Sequence, residues 1–188
     1  GSVLSKFLPD KGKSITLTID ATIQFMAERA LDKAMADTGA KHASVIVMDP
    51  KTGEILAMAN RPTYDPNHYN QGTEEDFKNI AVTNLYEPGS TFKPIIASAA
   101  LASGKWELDK VYNDKGAFLA NGHIIRNWNG EGYGQVRLLD ILKYSINTGM
   151  AEVGTTTGAE ILSKYVRDYG FGSTTGIELP GEGEGILY

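Results

Sequence analysis

The sequence contains no cysteine, no strongly basic segment and no long apolar run. The absence of cysteine excludes disulfides and a thiol nucleophile, although it fixes no cellular compartment. The net charge of −5 argues against a nucleic-acid-binding surface, so we expect no nucleic-acid partner. No stretch of 18 apolar residues is present and no signal peptide is visible, so the sequence predicts no membrane span within these residues.

The composition is that of a globular protein with a core, at 41% hydrophobic and 22% charged residues. The Gly1-Ser2 start is typical of what tag cleavage leaves, so we expect native sequence, including any membrane anchor, to precede it. His42, His68 and His123 lie in unrelated segments without the spacing of metal ligands. The sequence therefore predicts neither a metal site nor a cofactor.

The first third of the chain reads as a strand, a helix and a hairpin. Residues 14–19, "SITLTI", alternate like a half-buried strand. Asp20 stands where a helix N-cap is expected, and the apolar residues that follow recur with helical spacing until Gly39. Two β-rich runs, "ASVIVMD" and "GEILAMAN", are joined by "PKTG", which predicts a hairpin.

The rest of the chain reads as mostly helical. A helix is predicted from Ser90 to about Ser103, closed by Gly104. Residues 105–136 are irregular, with short strand-like pieces. Three further helices are predicted in "RLLDILKYS", from Asn147 to about Thr156, and in "AEILSKYVRDYG". The predicted fold class is mixed α/β, with residues 1–60 on the sheet side and residues 61–188 forming a mainly helical subdomain.

Ser90 and Lys93 stand three residues apart at the start of a predicted helix, where residues at this spacing share a face. A serine hydroxyl needs a base to become a nucleophile, and a lysine is a base only when it is neutral. The helix N-terminus and the apolar neighbours both favour the neutral amine. The pattern is short, and an ordinary cap beside a solvated lysine is the commoner meaning. Pro94 disfavours regular helical geometry here and predicts a distorted first turn, a departure typical of functional sites.

A second pattern, Ser145 and Asn147 in "YSINTGM", lies at a junction between predicted helices. A hydroxyl and a carboxamide presented together can relay a proton and hold a substrate amide. Alone, Ser-x-Asn is usually a turn or a cap. Together with Ser-x-x-Lys, however, it belongs to the signature set of penicillin-binding proteins and serine β-lactamases, whose third member is Lys-Thr-Gly.

Five separated blocks extend this likeness over nearly the whole chain. They are "LTIDATIQ", "VMDPKTGEILAMANRPTYDPN", "YEPGSTFKP", "LKYSINTGM" and "YGFGSTTGIELPGEGEGIL". In this order they resemble the transpeptidase domain of class B penicillin-binding proteins, most closely the cell-division and sporulation branch. Ile146 departs from the serine or aspartate more usual there. The resemblance implies a serine transpeptidase/β-lactamase-like fold, with a helical subdomain and part of an antiparallel sheet.

The resemblance also implies roles. Ser90 would be the acylated nucleophile, Lys93 its general base, Ser145 a proton shuttle and Asn147 a ligand of the donor peptide. We expect Ser90 and Lys93 to face each other, with Ser145 nearby. The D-Ala-D-Ala stem peptide would acylate the serine, and an amine of a neighbouring peptidoglycan strand would take the acyl group. β-Lactams would acylate the same serine. Implied partners are a glycosyltransferase and division proteins, at a bacterial membrane with the catalytic domain outside.

A literal Lys-Thr-Gly is present at residues 51–53, but it precedes Ser90 and has the composition of a hairpin turn. No Lys-Thr-Gly follows Asn147. We therefore expect a truncated domain, the N-terminal half of a transpeptidase, that is not competent alone.

Two other functions share some of these features. A serine β-lactamase or β-lactam sensor also has Ser-x-x-Lys, but a class A lactamase needs a glutamate for its deacylating water, and no Glu-x-x-Leu-Asn follows Asn147. The second alternative is a non-catalytic division scaffold, which would keep the fold in order to bind partners. The presence of all four candidate residues argues against that alternative.

Overall fold

The structure is a computed structural model that describes residues 12–187. Gly1 and Ser2, interpreted above as a tag remnant, lie outside that range. The chain divides into two compact units, one ending at Asn84 and the other beginning at Leu85. Of the helices in the described range, none is long and apolar enough to cross a membrane.

The first unit begins with helix α1, Ala21–Thr38. The Asp20 carboxylate accepts the backbone N–H groups of Thr22 and Ile23, both at 2.9 Å, and so satisfies two of the donors that a helix start leaves free. Gly39 ends the helix in the left-handed conformation, with φ of 66°, which glycine adopts without a steric penalty. Both predicted limits of this helix are confirmed.

Strands β1, Ala43–Met48, and β2, Ile55–Arg61, form the predicted antiparallel hairpin. In the turn, the Gly53 N–H donates to the Asp49 carbonyl at 2.8 Å and the Lys51 N–H to the Asp49 carboxylate at 2.7 Å. Residues 51–53 are therefore turn residues, as their composition predicts.

The predicted strand at residues 14–19 is wrong. The segment runs beside β2 without forming a ladder with it. The Thr18 hydroxyl donates to the Ile55 carbonyl at 2.6 Å, and the Asp20 N–H donates to the Leu56 carbonyl at 2.9 Å. The alternating Ile15 and Leu17 are 82% and 70% exposed, so the pattern that favoured a strand does not correspond to a buried face.

Residues 61–84 pack against the hairpin. They contain a 3-10 helix, Pro66–Gln71, and a short helix α2, Ile80–Thr83. The Asn60 side chain donates to Asn79 Oδ1 at 2.8 Å and accepts the Ala81 N–H at 3.1 Å. The first compact unit thus extends past the subdomain division that the sequence analysis places at residues 60 and 61.

The second unit is mainly helical. It begins with a 3-10 helix, Gly89–Phe92, and helix α3, Lys93–Ala102. Two small antiparallel sheets follow, β3 (Tyr112–Asp114) with β6 (Gly134–Val136) and β4 (Ala117–Ala120) with β5 (His123–Arg126). Helices α4 (Leu138–Lys143), α5 (Asn147–Thr157) and α6 (Ala159–Asp168) complete the unit, and all three were predicted.

The core of this unit lies between α3, α4 and α5. Its buried residues are Ala97, Ala100, Trp106, Val136, Leu138, Ile141, Ile146, Met150 and Val153. Gly149 allows α5 to approach α4, since a Cβ at this position would lie 2.7 Å from Ile141 Cγ1. Because α3 packs along α5, the first residues of both helices come together, and these residues carry the two predicted motifs.

Candidate active site

Ser90 and Lys93 are joined by a 3-10 turn rather than by a regular helical turn. The Lys93 N–H donates to the Ser90 carbonyl, the i to i−3 pattern of a 3-10 helix. In a regular α-helix the residue 94 N–H would occupy that carbonyl, and Pro94 has no N–H. The predicted distortion of the first turn is confirmed, and its cause is the proline.

Ser145 lies in the connection between α4 and α5 with φ of +53°, a left-handed conformation that serine rarely adopts. Holding such a residue costs about 1–3 kcal/mol, and it persists where the surroundings fix it. Here Ile146 is fully buried, and its N–H donates to the Ile141 carbonyl at 2.9 Å. Core packing at Ile146 therefore fixes the strained residue beside it.

One chain of hydrogen bonds joins the four predicted site residues. Lys93 Nζ donates to the Ser145 carbonyl at 2.7 Å, to Ser145 Oγ at 3.0 Å and to Asn147 Oδ1 at 2.7 Å. Ser145 Oγ in turn lies 2.9 Å from Ser90 Oγ. Among the hydrogen bonds of residues 12–187, none links Lys93 Nζ to Ser90 Oγ directly. The order of contacts is Ser90, Ser145, Lys93.

The surroundings of Lys93 favour its neutral form. Lys93 is only 8% exposed, and this burial lowers the pKa of its amine from the ordinary 10.5. None of the three oxygens around Nζ belongs to a carboxylate, and the Ser145 carbonyl and Asn147 Oδ1 can take the two N–H groups of a neutral amine, which leaves its lone pair for the Ser145 hydroxyl. Ser90, by contrast, is exposed, so the arrangement combines an accessible hydroxyl with a buried amine that can take a proton through Ser145.

A groove of about 430 Å³ opens beside these residues. Its polar end is formed by Lys93 and Asn147, and the remaining walls are mostly apolar. The lining residues are Gly89, Phe92, Lys93, Ile96, Ile125, Asn147, Met150, Ala151 and Gly154. The groove has room for part of a substrate next to the candidate nucleophile.

Three buried polar residues that sequence reasoning missed lie next to Asn147. They are Asp114, Asn127 and Thr148, at 2%, 4% and 0% exposure. Their hydrogen bonds run between separate loops and strands, so they produce no periodicity in the sequence. The one available signal was the glycine-rich "GEGYG" at residues 130–134, which the structure places beside this cluster.

The histidines take no part in this site. His42 Nε2 lies 3.3 Å from Glu75 Oε1, and His68 Nδ1 lies 2.8 Å from Asp65 Oδ2. His123 is exposed on β5. Within the part of the chain that the structure describes, no cluster of three or more histidine, aspartate and glutamate side chains could hold a metal ion.

Comparison with known proteins identifies the family of the chain. A family model described as the penicillin binding protein transpeptidase domain matches residues 43–188. The chain belongs to the penicillin-binding protein transpeptidase domain family. The resemblance read from the five sequence blocks is thereby confirmed, and so is the mixed α/β fold of the serine transpeptidases.

Curated relatives include sporulation and wall-synthesis proteins of the class B group. Stage V sporulation protein D of Bacillus subtilis is 42% identical over 183 residues, which is 96% of this chain and 28% of that protein. Peptidoglycan D,D-transpeptidase FtsI of Escherichia coli is 32% identical over 173 residues, 92% of this chain and 29% of that protein. The chain therefore spans less than a third of the length of these relatives.

Solved structures of the family share the fold. A peptidoglycan glycosyltransferase from Burkholderia ambifaria superposes with a TM-score of 0.81 at 28% identity, covering 92% of this chain and 50% of that one. The apo TP domain of penicillin-binding protein 3 from Burkholderia pseudomallei gives a TM-score of 0.79 at 26% identity, covering 91% and 47%.

Proposed function

We propose that the protein carrying this sequence is a peptidoglycan D,D-transpeptidase that cross-links stem peptides through a serine acyl-enzyme and is acylated by β-lactams. The hydrogen-bond chain from Ser90 through Ser145 to the buried Lys93 carries the proposal. It pairs a nucleophile with a base whose neutral form is favoured, inside a family whose relatives bear the name D,D-transpeptidase.

In the proposed acylation step, Ser90 Oγ attacks the carbonyl carbon of the peptide bond between the two D-alanines. Its proton passes to Ser145 Oγ as the proton of Ser145 passes to Lys93 Nζ. When the C–N bond breaks, the same chain returns a proton to the departing D-alanine amine. An amine from a neighbouring strand then attacks the ester carbonyl of the acyl-enzyme. As the new amide bond forms, the C–O bond to Ser90 breaks, and a proton of the amine passes through the same chain to Ser90 Oγ.

The Asn147 carboxamide suits the role of a substrate ligand. Its oxygen accepts from Lys93 Nζ and one of its N–H groups donates to the Arg126 carbonyl at 3.1 Å. A carboxamide has a second N–H, which is available for a carbonyl of the donor peptide. The Ser90 N–H, in the first turn of its 3-10 helix, suits one position of an oxyanion hole.

The third element of the family site would be a Lys-Thr-Gly strand, and no such sequence follows Asn147. By analogy with enzymes that lose one oxyanion donor, we propose that the 188-residue chain alone is acylated about 10²–10³-fold more slowly than the native full-length protein.

We further propose that the native protein works on the outer side of the bacterial membrane, beside a glycosyltransferase and division or sporulation proteins. A relative named for stage V of sporulation supports this setting. The acidic net charge of −5 is consistent with partners other than nucleic acid.

The test is labelling of the native full-length protein with a fluorescent penicillin, followed by peptide mass spectrometry. We expect one stable adduct on Ser90 and none on the Ser90→Ala variant. A synthetic D-Ala-D-Ala stem peptide should release D-alanine only with Ser90 intact. An adduct that persists in Ser90→Ala would overturn the proposal, and rapid turnover of the penicillin would point to a β-lactamase instead.

A further inference from the structure

Helix α5, which begins at Asn147, is capped by a residue from a distant loop. Its own N-cap residue, Ile146, has no side chain that can accept a hydrogen bond. Asn127 Oδ1 supplies the acceptor instead, taking the N–H groups of Asn147 at 3.0 Å and Thr148 at 3.2 Å. It thereby satisfies two of the free donors that a helix start presents.

The orientation of the Asn127 carboxamide is fixed from its other end. Its NH₂ group donates to Asp114 Oδ2 and to the Glu131 carbonyl, both at 2.8 Å. Both partners are acceptors only, so the NH₂ group has to face them and the carboxamide oxygen has to face α5. A flipped carboxamide would place two acceptors against its oxygen and two N–H groups against its NH₂.

Asp114 can orient Asn127 because it is itself held on both oxygens. Oδ1 accepts the Gly116 N–H at 2.9 Å and the Thr148 hydroxyl at 2.6 Å, and Oδ2 also accepts the Tyr133 N–H at 2.9 Å. Burial alone raises the pKa of the Asp114 carboxyl, but the hydrogen bonds led by Thr148 outweigh burial and leave the pKa below its usual value. Asp114 therefore stays an acceptor at neutral pH.

Two glycines allow the backbone to cross closely at this point. A Cβ on Gly132 would lie 2.6 Å from the Asp114 carbonyl oxygen, and a Cβ on Gly116 would lie 2.8 Å from the Glu131 carbonyl carbon. No side chain fits at either position without a backbone shift. The crossing brings the Glu131 carbonyl and the Tyr133 N–H to the buried cluster.

We infer that Asn127, oriented by Asp114, is a positioning residue for the acylation of Ser90, a role that rests on the proposed function. The residue it caps, Asn147, accepts from Lys93 Nζ, and Lys93 in turn contacts Ser145. A first turn of α5 without its cap is free to fray, and fraying moves Asn147 and Ser145 away from Lys93. Neither Asn127 nor Asp114 touches Ser90 in the hydrogen-bond chain, so they act through Asn147.

The test compares Asn127→Asp with Asn129→Asp in the native full-length protein. Both make the same chemical change within one loop, but Asn129 is exposed, and within residues 12–187 its side chain accepts only the Glu131 N–H. Asn127→Asp keeps an acceptor for α5 and places a second carboxylate against Asp114. We expect the penicillin acylation rate at about pH 8.5 to fall by about 10²-fold for Asn127→Asp and to stay within about 2-fold for Asn129→Asp.

The pH dependence of the Asn127→Asp acylation rate distinguishes a loss of positioning from a loss of the fold. Two carboxylates in contact share one proton with a strongly raised pKa, and the shared proton restores a donor between residues 114 and 127. The rate of Asn127→Asp relative to the unchanged protein should therefore recover as the pH falls to about 5.5. The ionisable residues around the Asp114–Asn127 pair include Tyr112 on β3, Glu152 on α5, and Glu131 and Tyr133, whose backbone groups join the cluster. Burial, then the charges of Asp114 and Glu152, raise the pKa of Tyr112, so it stays neutral over this range.

A milder pair covers the case in which Asn127→Asp does not fold. Thr148→Val and Thr157→Val each remove one buried hydroxyl from α5, but only the Thr148 hydroxyl contacts Asp114 and Asn127, while that of Thr157 donates to the Val153 carbonyl. We expect Thr148→Val to slow penicillin acylation several-fold more than Thr157→Val does. The two variants are compared at equal folded fraction, which circular dichroism measures.

Three results would overturn the inference while the unchanged protein still labels Ser90. They are an unchanged rate in folded Asn127→Asp at every pH, a slow rate that does not recover at low pH, and equal rates for the two threonine variants. If the unchanged protein itself fails to label Ser90, the proposed function is what fails.

Discussion

The hydroxyl oxygens of Ser90 and Ser145 lie 2.9 Å apart, although 55 positions separate the two residues in the chain. Ser145 Oγ is also 3.0 Å from Lys93 Nζ, so one hydroxyl group connects the candidate nucleophile with the candidate base. The Ser-x-x-Lys spacing suggests a direct exchange within one helical turn. We propose instead that the proton passes through the second motif, with Ser145 between Ser90 and Lys93.

Replacing Ser145 with alanine should break this connection and leave Lys93 in place. We expect penicillin acylation of the native full-length protein to slow by about 10²–10⁴-fold, the usual contribution of a positioned proton-transfer group. Ser98→Ala is the control, because Ser98 also lies on α3 but its hydroxyl pairs with Tyr169. If Ser145→Ala labels as fast as Ser98→Ala, the route through Ser145 is not used.

The pH dependence of acylation should follow the neutral fraction of Lys93. Because burial lowers its pKa from 10.5, the rate should rise with pH through that lowered value and level off before pH 10.5. Lys93→Arg keeps a side chain that stays charged, so it should lose both the rise and at least about 10²-fold in rate. Stopped-flow acylation over a pH series measures both. A rate that falls as the pH rises would contradict Lys93 as the base.

The N-cap of α1 offers a test of stability in the first unit. Asp20→Ala removes two hydrogen bonds to the start of the helix and should lower the free energy of unfolding by about 0.5–2 kcal/mol. Asp20→Asn keeps an acceptor and should lose little. Urea unfolding followed by circular dichroism compares the two, and equal losses would show that the cap is not the cause.

Two glycines of α5 should respond in opposite directions to alanine. A Cβ at Gly149 meets the fully buried Ile141 at 2.7 Å, so Gly149→Ala should destabilise by about 1–3 kcal/mol through overpacking. At Gly154 the nearest atoms are 3.8 Å away, so Gly154→Ala should stabilise by about 0.5–1 kcal/mol through helix propensity. Thermal melting of both variants decides. If Gly149→Ala stabilised the protein, Ile141 on α4 would have to move aside for the added methyl group, contrary to the overpacking argument.

Local sequence rules identified much of the fold. Asp20 and Gly39 mark the ends of α1 because a cap and a left-handed glycine act within one turn of the chain. The hairpin around residues 51–53 follows from its turn residues for the same reason. The alternating pattern at residues 14–19 led to a wrong strand prediction. A strand also needs a neighbouring strand to pair with, and no local sequence pattern specifies that neighbour.

Sequence reasoning predicted only those candidate site residues that belong to short sequence motifs. Ser90, Lys93, Ser145 and Asn147 were predicted as site residues by residue type and order, and the structure brings the four together. Asp114 and Asn127 were not predicted, because they contact each other and the start of α5 across more than ten residues of the chain. The left-handed backbone conformation of Ser145 could not be predicted from the sequence either, because serine is not a residue type that indicates positive φ.

The shared acceptors of Asp114 and Asn127 have a consequence for how this region opens. The backbone N–H groups of Gly116, Tyr133, Asn147 and Thr148 all donate to these two side chains. Because the four groups share these two acceptors, we expect that exposing one of them to solvent disturbs the hydrogen bonds of the others. In native-state hydrogen exchange they should open as one cooperative unit with a single free energy. The loop that carries Ser145 would then be either fully assembled or fully open, and reactivity at Ser90 would be an all-or-none property of this local folding step.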